Sequence, residues 1–546
     1  MNITYRIIDN GLYGELDALS STEVIDHLRN YLGNFLLDAV TGTAYANRLN
    51  RTPPEEVGPR IRAWFGYLIR KLVHLQPFHS EIRRIAEQMT GAADPLLPIL
   101  EKIQIPPRIS QKITNLCTQN DIHLRHTILS KIYLQYPYSP ALIDLLLLTD
   151  LERNIPVGQD WLDLAKVPAP LQPLLQAQIL QYAVIQGDYQ RAASITENIW
   201  PQIEHNEVVL NFVSEAYVRL GDRQKALMAL EKSIALDPLQ IPMQCRMQQI
   251  RDGFTEDKSV LEKNIAIFLY SYNKSELLQK TLRSLAQSHL GNARISVLLN
   301  HCTDDSAAAV RAINERYFAN AIEVIALPTN IGAPAARNWL LTTEAAERAD
   351  YVAFLDDDVE IPPHWLTTLL TVLSRTPKAA VAGAKILAPG TPKRLQYLYH
   401  NIAVAREDLL RISLDTPTWN YDAGFYDFIR PTTNVMGCCH VLTREAIQTV
   451  PSFDIRFSPS QMDDIAHDID LCLHGFTVMY CGLVECIHYQ MSGVGRQTSH
   501  DMTKIGNVRG NDVKFFYRFL PHQQALQTMN NLHLVPELPP QHAQRS

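Results

Sequence analysis

Two patterns of apolar and polar positions divide this chain. Up to about residue 250 the apolar residues recur at helical spacing, as in Ile61-Arg62-Ala63-Trp64-Phe65-Gly66-Tyr67-Leu68-Ile69-Arg70, where apolar and basic positions mix along one segment. From Ile265 onward short apolar runs take over: Ile265 to Tyr270, Ile295 to Leu299, Ile322 to Leu327, Tyr351 to Leu355 and Ala379 to Ala384, alternating with stretches of helical character. Strands that alternate with helices predict a parallel-rich sheet covered by helices. Between the two patterns, Arg251 to Lys263 is charged and aperiodic, which suits a domain linker.

Inside the helical part, Gly187-Asp188-Tyr189-Gln190-Arg191-Ala192-Ala193 recurs 34 residues later as Gly221-Asp222-Arg223-Gln224-Lys225-Ala226-Leu227. That period is a signature of paired-helix repeats. Small residues at these positions let antiparallel helices approach, and stacked pairs make a concave surface that holds peptides or partner proteins. A helical spacer without a partner explains the pattern equally well. The expected organisation is a helical region over 1–130, helical repeats over 131–250, a linker over 251–263, an α/β domain over 264–500, and a tail over 501–546. In the tail, Val513 to Leu520 reads as a helix that packs back on the domain. The last dozen residues, with Pro536, Pro539 and Pro540, read as disordered.

Composition narrows the class. A chain of 546 residues that is 46% hydrophobic has ample material for real cores. The formal charge of −7 disfavours nucleic acid as a partner, because such binding relies on Lys and Arg neutralising phosphates. Met1 to Asp17 lacks the basic and apolar regions of a secretory leader, and no window approaches 18 uninterrupted apolar residues. These features give a soluble, cytoplasmic expectation. The eight cysteines, including the vicinal Cys438 and Cys439, show no zinc spacing and read as buried thiols.

The sharpest local feature is the strand Tyr351-Val352-Ala353-Phe354-Leu355 running straight into Asp356-Asp357-Asp358. Ligands collect at the carboxyl ends of strands in open α/β sheets. Clustered carboxylates repel one another unless a cation neutralises them, and Mg²⁺ and Mn²⁺ prefer carboxylate and phosphate oxygens. A nucleoside diphosphate is then the natural second partner. The competing reading is an acidic turn that caps a helix begun by Pro362 and Pro363. Strand alternation places Asp357 on the face opposite Asp356 and Asp358.

Further motifs carry a resemblance. Leu269-Tyr270-Ser271-Tyr272-Asn273-Lys274 ends the first strand, and Asn300-His301-Cys302-Thr303-Asp304-Asp305 follows the second. Asn330-Ile331-Gly332 and Ala336-Arg337-Asn338 precede the Asp-rich strand end. Beyond it come Gly437-Cys438-Cys439-His440, then Phe453-Asp454-Ile455-Arg456-Phe457, then Asp463-Asp464. In this order they resemble an inverting glycosyltransferase of family 2 with the GT-A fold, over residues 264 to about 496. Asp463, Gly475 and His488 reproduce that family's spacing from its acidic pair to a Gly and then a His. The second helical repeat separately resembles a tetratricopeptide repeat at Tyr217, Gly221, Ala226, Leu230 and Asp237-Pro238.

The resemblance implies roles. Tyr272, Asn273, Asn300, Asp304, Asn330 and Gly332 would surround the nucleotide, with Arg337 and Arg496 facing phosphate. Asp356 and Asp358 would bracket ribose and metal, with His488 completing the metal shell; Mn²⁺ accepts imidazole more readily than Mg²⁺ does. Asp464 would be the base, and Asp468, one helical turn later, competes with it. Departures exist: Leu299-Asn300 stands where the family often has an Asp facing uracil, Ala466 replaces a common Asp, and Asp470 a frequent Arg. The expectation is a metal-dependent glycosyltransferase that moves a sugar from a nucleotide-sugar donor to a hydroxyl of a glycan, lipid-linked glycan or protein glycan, with the repeats recruiting the acceptor. The alternative from another class is a repeat scaffold whose α/β domain binds nucleotide without turnover. Nucleotidyl transfer would need a basic Gly-rich loop after the first strand, where only Lys274 is found.

Overall fold

The computed structural model describes residues 11–538 apart from 104, 118–120, 138, 320, 403–413, 416, 418–419, 490–501 and 532. An all-helical region of about 250 residues precedes a mixed α/β domain. Several of its helices start where a side chain takes up free N–H groups. Ser20 and Glu23 form a reciprocal capping box at the helix Ser21–Asn34. The 34-residue repetition is two helix hairpins, Gln172–Gln186 with Tyr189–Ile203 and Glu207–Arg219 with Arg223–Leu236. Each Gly-Asp pair is the turn between them. Gly187 and Gly221 end one helix at φ of 83° and 79°, while Asp188 and Asp222 accept from the N–H groups of Arg191 and Lys225 to start the next. Ala192, Ala216 and Ala226 are fully buried where the helices cross.

The α/β domain contains strands β1 (Ile265–Ser271), β2 (Arg294–Asn300), β3 (Ile322–Leu327), β4 (Tyr351–Asp356), β5 (Val359–Glu360), β6 (Ala379–Ala388), β7 (Arg394–Tyr397), β8 (Asn401–Ile402), β9 (Leu414–Asp415), β10 (Ile429–Thr432), β11 (Cys439–Thr443) and β12 (Thr477–His488). The main path runs β10-β12-β6-β11-β4-β1-β2-β3. β3, β2, β1 and β4 are parallel, as are β6 and β12, while β11 enters antiparallel between β4 and β6. All five expected strands form, with β6 running four residues beyond Ala384. β11 was not foreseen. One face of the sheet packs on Leu278, Leu282, Val310, Leu366 and Leu369; the other packs on Ala336, Leu340, Phe453 and Leu471. The carboxyl ends of β1, β2 and β4 therefore open together at one edge.

Helical region and sheet domain are docked through both apolar and ionic contacts. Phe212 meets Phe425 edge-on at 4.8 Å, and Arg246 forks onto Glu215 at 2.7 and 2.9 Å while donating to the carbonyl of Asp427. A cavity of about 230 Å³ lies between them, lined by Phe35, Lys71, Asn211, Phe212 and Tyr426. The expected linker is strapped down instead of free: Val260 is buried, and Thr368 donates to Glu256. The tail helix extends over Met502–Phe519 and inserts Phe515, Phe516 and Phe519 against Ile465 and Ile469. Beyond it, the expectation of a disordered end fails for the described residues to 538. Val535 is buried, and Glu537 accepts from Arg60 at 2.7 Å and from Trp64 at 3.1 Å. Among the described residues no helix is long and apolar enough to cross a membrane.

Candidate active site

Strand β4 delivers Asp356 to the open edge, where the Tyr270 hydroxyl on neighbouring β1 donates to its Oδ1 at 2.8 Å. The following helix begins only at Trp365, with no side-chain cap. The acidic run therefore caps nothing, and the helix-cap reading is set aside. Asp356, Asp358 and His488 offer ligand atoms that all lie within 4.8 Å of one another. His488 arrives from the end of β12, and its Nε2 stands 3.1 Å from Asp358 Oδ1 and 3.9 Å from Asp356 Oδ2. Asp358 Oδ1 is buried and has no hydrogen-bond partner. Two carboxylates and an imidazole converging on an orphaned oxygen make a donor set that fits Mn²⁺.

Asp357 does not take the opposite face. Lys274 donates to Asp357 Oδ1 at 3.0 Å and to Asp358 Oδ2 at 2.8 Å, so one ammonium serves both. Chain alternation fails here because β4 ends at Asp356 and the next two residues turn. The three carboxyls differ in consequence. Burial pushes Asp356 up, against the pull of Arg337. It also pushes Asp357 up, to about 6, with Lys274 opposing. For Asp358 burial acts upward too, but His488 and Lys274 outweigh it and hold the carboxyl down to about 2.

The loops expected around the nucleotide come together at this edge. Asn300 donates to Asn330 Oδ1 at 2.9 Å and accepts from the N–H of Ile331, which ties the ends of β2 and β3. Gly332 has φ of 80°, and a Cβ there would stand 3.0 Å from Ser458 Oγ. Tyr272 is 48% exposed at this edge. Asn273 and Asp304 are organisers of the loop: Asn273 accepts from Thr303 N–H, and Asp304 accepts from the N–H groups of Ser275 and Ser306. Arg337 does not face solvent as a phosphate contact would require. Arg337 is 3% exposed, and its guanidinium pairs with Asp463 at 2.6 Å, approaches Asp356 at 3.7 Å and lies over Tyr270 and Phe453. Aromatic faces and two carboxylates enclose it. Arg496 lies outside the described residues.

Asp463 and Asp464 open the helix Asp463–Leu473, where the helix dipole favours negative charge. Asp464 Oδ2 accepts from Gly437 N–H at 2.7 Å, and a Cβ at Gly437 would stand 2.8 Å from that same oxygen. Only glycine permits this approach. The carbonyl of Cys438 accepts from Asp356 N–H, so one short segment links the two acidic groups. Burial drives Asp463 up to about 6, opposed by Arg337. Asp468 is buried, accepts from Val435 N–H at 2.8 Å and is pushed well above the carboxylate range by burial. Tyr270, Lys274, Arg337 as a bridge and Gly437 as a spacer are contacts that strand and motif spacing do not announce.

Residues 266–450 match the family model described as Glycosyl transferase family 2. This match supports a glycosyltransferase, and it ends before Asp464 and His488. Among the solved structures similar to part of this chain are two glycosyltransferase complexes. GalNAc-T7 with UDP, GalNAc and Mn²⁺ is 12% identical, over 50% of this chain and 54% of that one, with a TM-score of 0.34. The mannosyltransferase PcManGT from Pyrobaculum calidifontis, in complex with GDP-Man and Mn²⁺, is 15% identical, over 58% of this chain and 84% of that one, with a TM-score of 0.35. This chain thus spans about half the length of GalNAc-T7. At such TM-scores neither likeness says anything about donor or metal here. A comparison with curated proteins finds no match.

Proposed function

We propose that the chain is a metal-dependent, inverting glycosyltransferase that moves a sugar from a nucleotide-sugar donor to an acceptor hydroxyl. The observation that carries this reading is the convergence of Asp356, Asp358 and His488 at the strand ends, one short segment away from Asp464. Those three side chains would hold a divalent cation, which would supply charge stabilisation for a departing nucleoside diphosphate. Tyr270 fixes Asp356 by its hydroxyl, and Lys274 fixes Asp358. Asp464, with Oδ2 anchored on Gly437 N–H, takes the proton of the acceptor hydroxyl as that oxygen attacks the anomeric carbon. The bond to the diphosphate breaks on the opposite side, and a single displacement inverts the configuration. Asp468 is the weaker candidate for base, since it is buried, already accepts from the Val435 N–H, and burial disfavours its charged form.

The tetratricopeptide-like hairpins would hold the acceptor, a glycan or glycosylated polypeptide, beside the sheet domain. Mn²⁺ suits the imidazole-containing donor set better than Mg²⁺. A panel of nucleotide sugars tested with Mn²⁺ by thermal shift identifies the donor, because a ligand that binds only the native state raises its stability. The expected result is one stabilising nucleotide sugar, slowly hydrolysed without acceptor. A panel in which none stabilises and none is hydrolysed contradicts the proposal.

A further inference from the structure

The ring of His488 has two nitrogens, and only one faces the carboxylates. The other, Nδ1, lies 2.6 Å from Oε1 of Gln396 on β7. The opposite end of the same amide, Nε2 of Gln396, donates to the backbone carbonyl of His488 at 3.1 Å. That second contact removes the usual ambiguity of amide orientation. A carbonyl oxygen only accepts, so the end facing it must be the NH₂ group and the end facing the ring must be the oxygen. An oxygen also only accepts, so Nδ1 must carry the proton. In a neutral imidazole, Nε2 is then left with its lone pair, directed toward Asp356 Oδ2 and Asp358 Oδ1. Gln396 is 1% exposed and His488 3%, which keeps the pair together out of water.

We propose that Gln396 is a positioning residue that sets the His488 tautomer and ring orientation so that Nε2 is available as a metal ligand. This rests on the metal-site reading above. A lone pair beside two carboxylate oxygens is an unfavourable arrangement on its own; either a proton on Nε2 shared with Asp358 Oδ1 or a cation among the three groups resolves it, and the cation takes the place of that proton. Gripping both the ring and the backbone of His488, the amide also fixes where the end of β12 sits relative to β4. Without the acceptor on Nδ1, the proton is free to move to Nε2 and occupy the ligand position. Outer partners of this kind are worth roughly 10- to 100-fold in metal affinity.

The test compares the full-length parent with Gln396→Met and Gln396→Glu in a nitrogen-free buffer. Mn²⁺ alone is titrated by the loss of its free EPR signal, and pulsed EPR reads nitrogen coupling to the bound ion. The parent is expected to bind Mn²⁺ with imidazole nitrogen coupling. Gln396→Met is expected to bind at least about tenfold more weakly and to lose that coupling. Gln396→Glu keeps an acceptor opposite Nδ1, and is expected to keep the coupling and to bind within about threefold of the parent. A parent that binds no Mn²⁺ defeats the metal reading itself. A parent that binds Mn²⁺ without nitrogen coupling leaves that reading standing and overturns the role of Gln396. The role is also overturned by Gln396→Met behaving as the parent does. Should that variant not fold, more than tenfold weakening in Gln396→Glu overturns it as well.

Discussion

At the end of β4, Asp356 and Asp358 face His488, while across β6 and β12 the carboxylates of Asp422, Asp427 and Glu485 face one another in a second acidic group. By composition the second group looks the better cation site, since it has three acids. Its centre, however, holds the ammonium of Lys385, at 2.7 Å from Asp422, 2.5 Å from Asp427 and 3.2 Å from Glu485. Arg219 adds a further contact to Asp427 at 2.6 Å, and Lys393 one to Glu485 at 2.5 Å. The second group is thus neutralised from within and serves to join the helical region to the sheet. In the first group Lys274 reaches Asp358 Oδ2 from the side, while Asp358 Oδ1 takes nothing from Lys274 and faces His488 Nε2 at 3.1 Å. What separates a binding site from a structural ion cluster is whether the fold supplies its own cation, and acid count does not reveal it.

Breaking the first group should have the largest effect. Asp358→Ala is expected to lower Mn²⁺-dependent donor hydrolysis by roughly a thousandfold or more, since metal stabilisation of the leaving group is worth several kcal/mol. Turnover close to the parent's in that variant contradicts the metal assignment. Lys385→Met breaks the second group. Leaving buried carboxylates without their cation costs about 3–5 kcal/mol, so a clear loss in urea or thermal stability is expected. Mn²⁺ affinity at the first group of the folded variant should stay near the parent's, while the second group, freed of its ammonium, becomes able to take a cation of its own. Asp464→Asn spares both groups, and is expected to keep donor binding while transfer falls by about a hundredfold or more. Transfer at the parent's rate would remove Asp464 as base.

Asp144 gives the smallest effect and a third case, a carboxyl with no ion pair among the described residues. It accepts from the Tyr182 hydroxyl at 3.5 Å, and burial raises it to about 6 from 3.8. A folded-state value above the unfolded one makes a contribution to stability that is present below pH 3.8 and lost as pH rises through about 6. Asp144→Asn should therefore raise the melting temperature at pH 7.5 by an amount on the order of a few degrees, and the gain should vanish near pH 4. An equal gain at both values would show that Asp144 is not held as described.

Much of this arrangement was readable along the chain. The strand before Asp356 is visible because five consecutive apolar residues precede the acids, and the helix hairpins because Gly187 and Gly221 repeat with their capping aspartates. The family resemblance grouped Asp464 and His488 with Asp356 and Asp358, and His488 stands 3.1 Å from Asp358. Other features were silent for physical reasons. β11 is five residues long and carries His440 in the core, tilted against Phe354, so it shows no apolar run. Arg337 pairs with Asp463 across 126 positions, and Gln396 meets His488 across 92; a single polar residue has no periodicity that could disclose either partner. Lys385, the residue that distinguishes the two acidic groups, looks in sequence like an ordinary lysine in a strand.

The central claim is that the first group, and not the second, binds the cation. Its direct test is a Mn²⁺ titration of the parent, Asp358→Asn and Glu485→Gln, followed by the free-ion EPR signal. One site per chain is predicted in the parent and in Glu485→Gln, with none in Asp358→Asn. Retention of the site in Asp358→Asn, together with its loss in Glu485→Gln, would contradict the account.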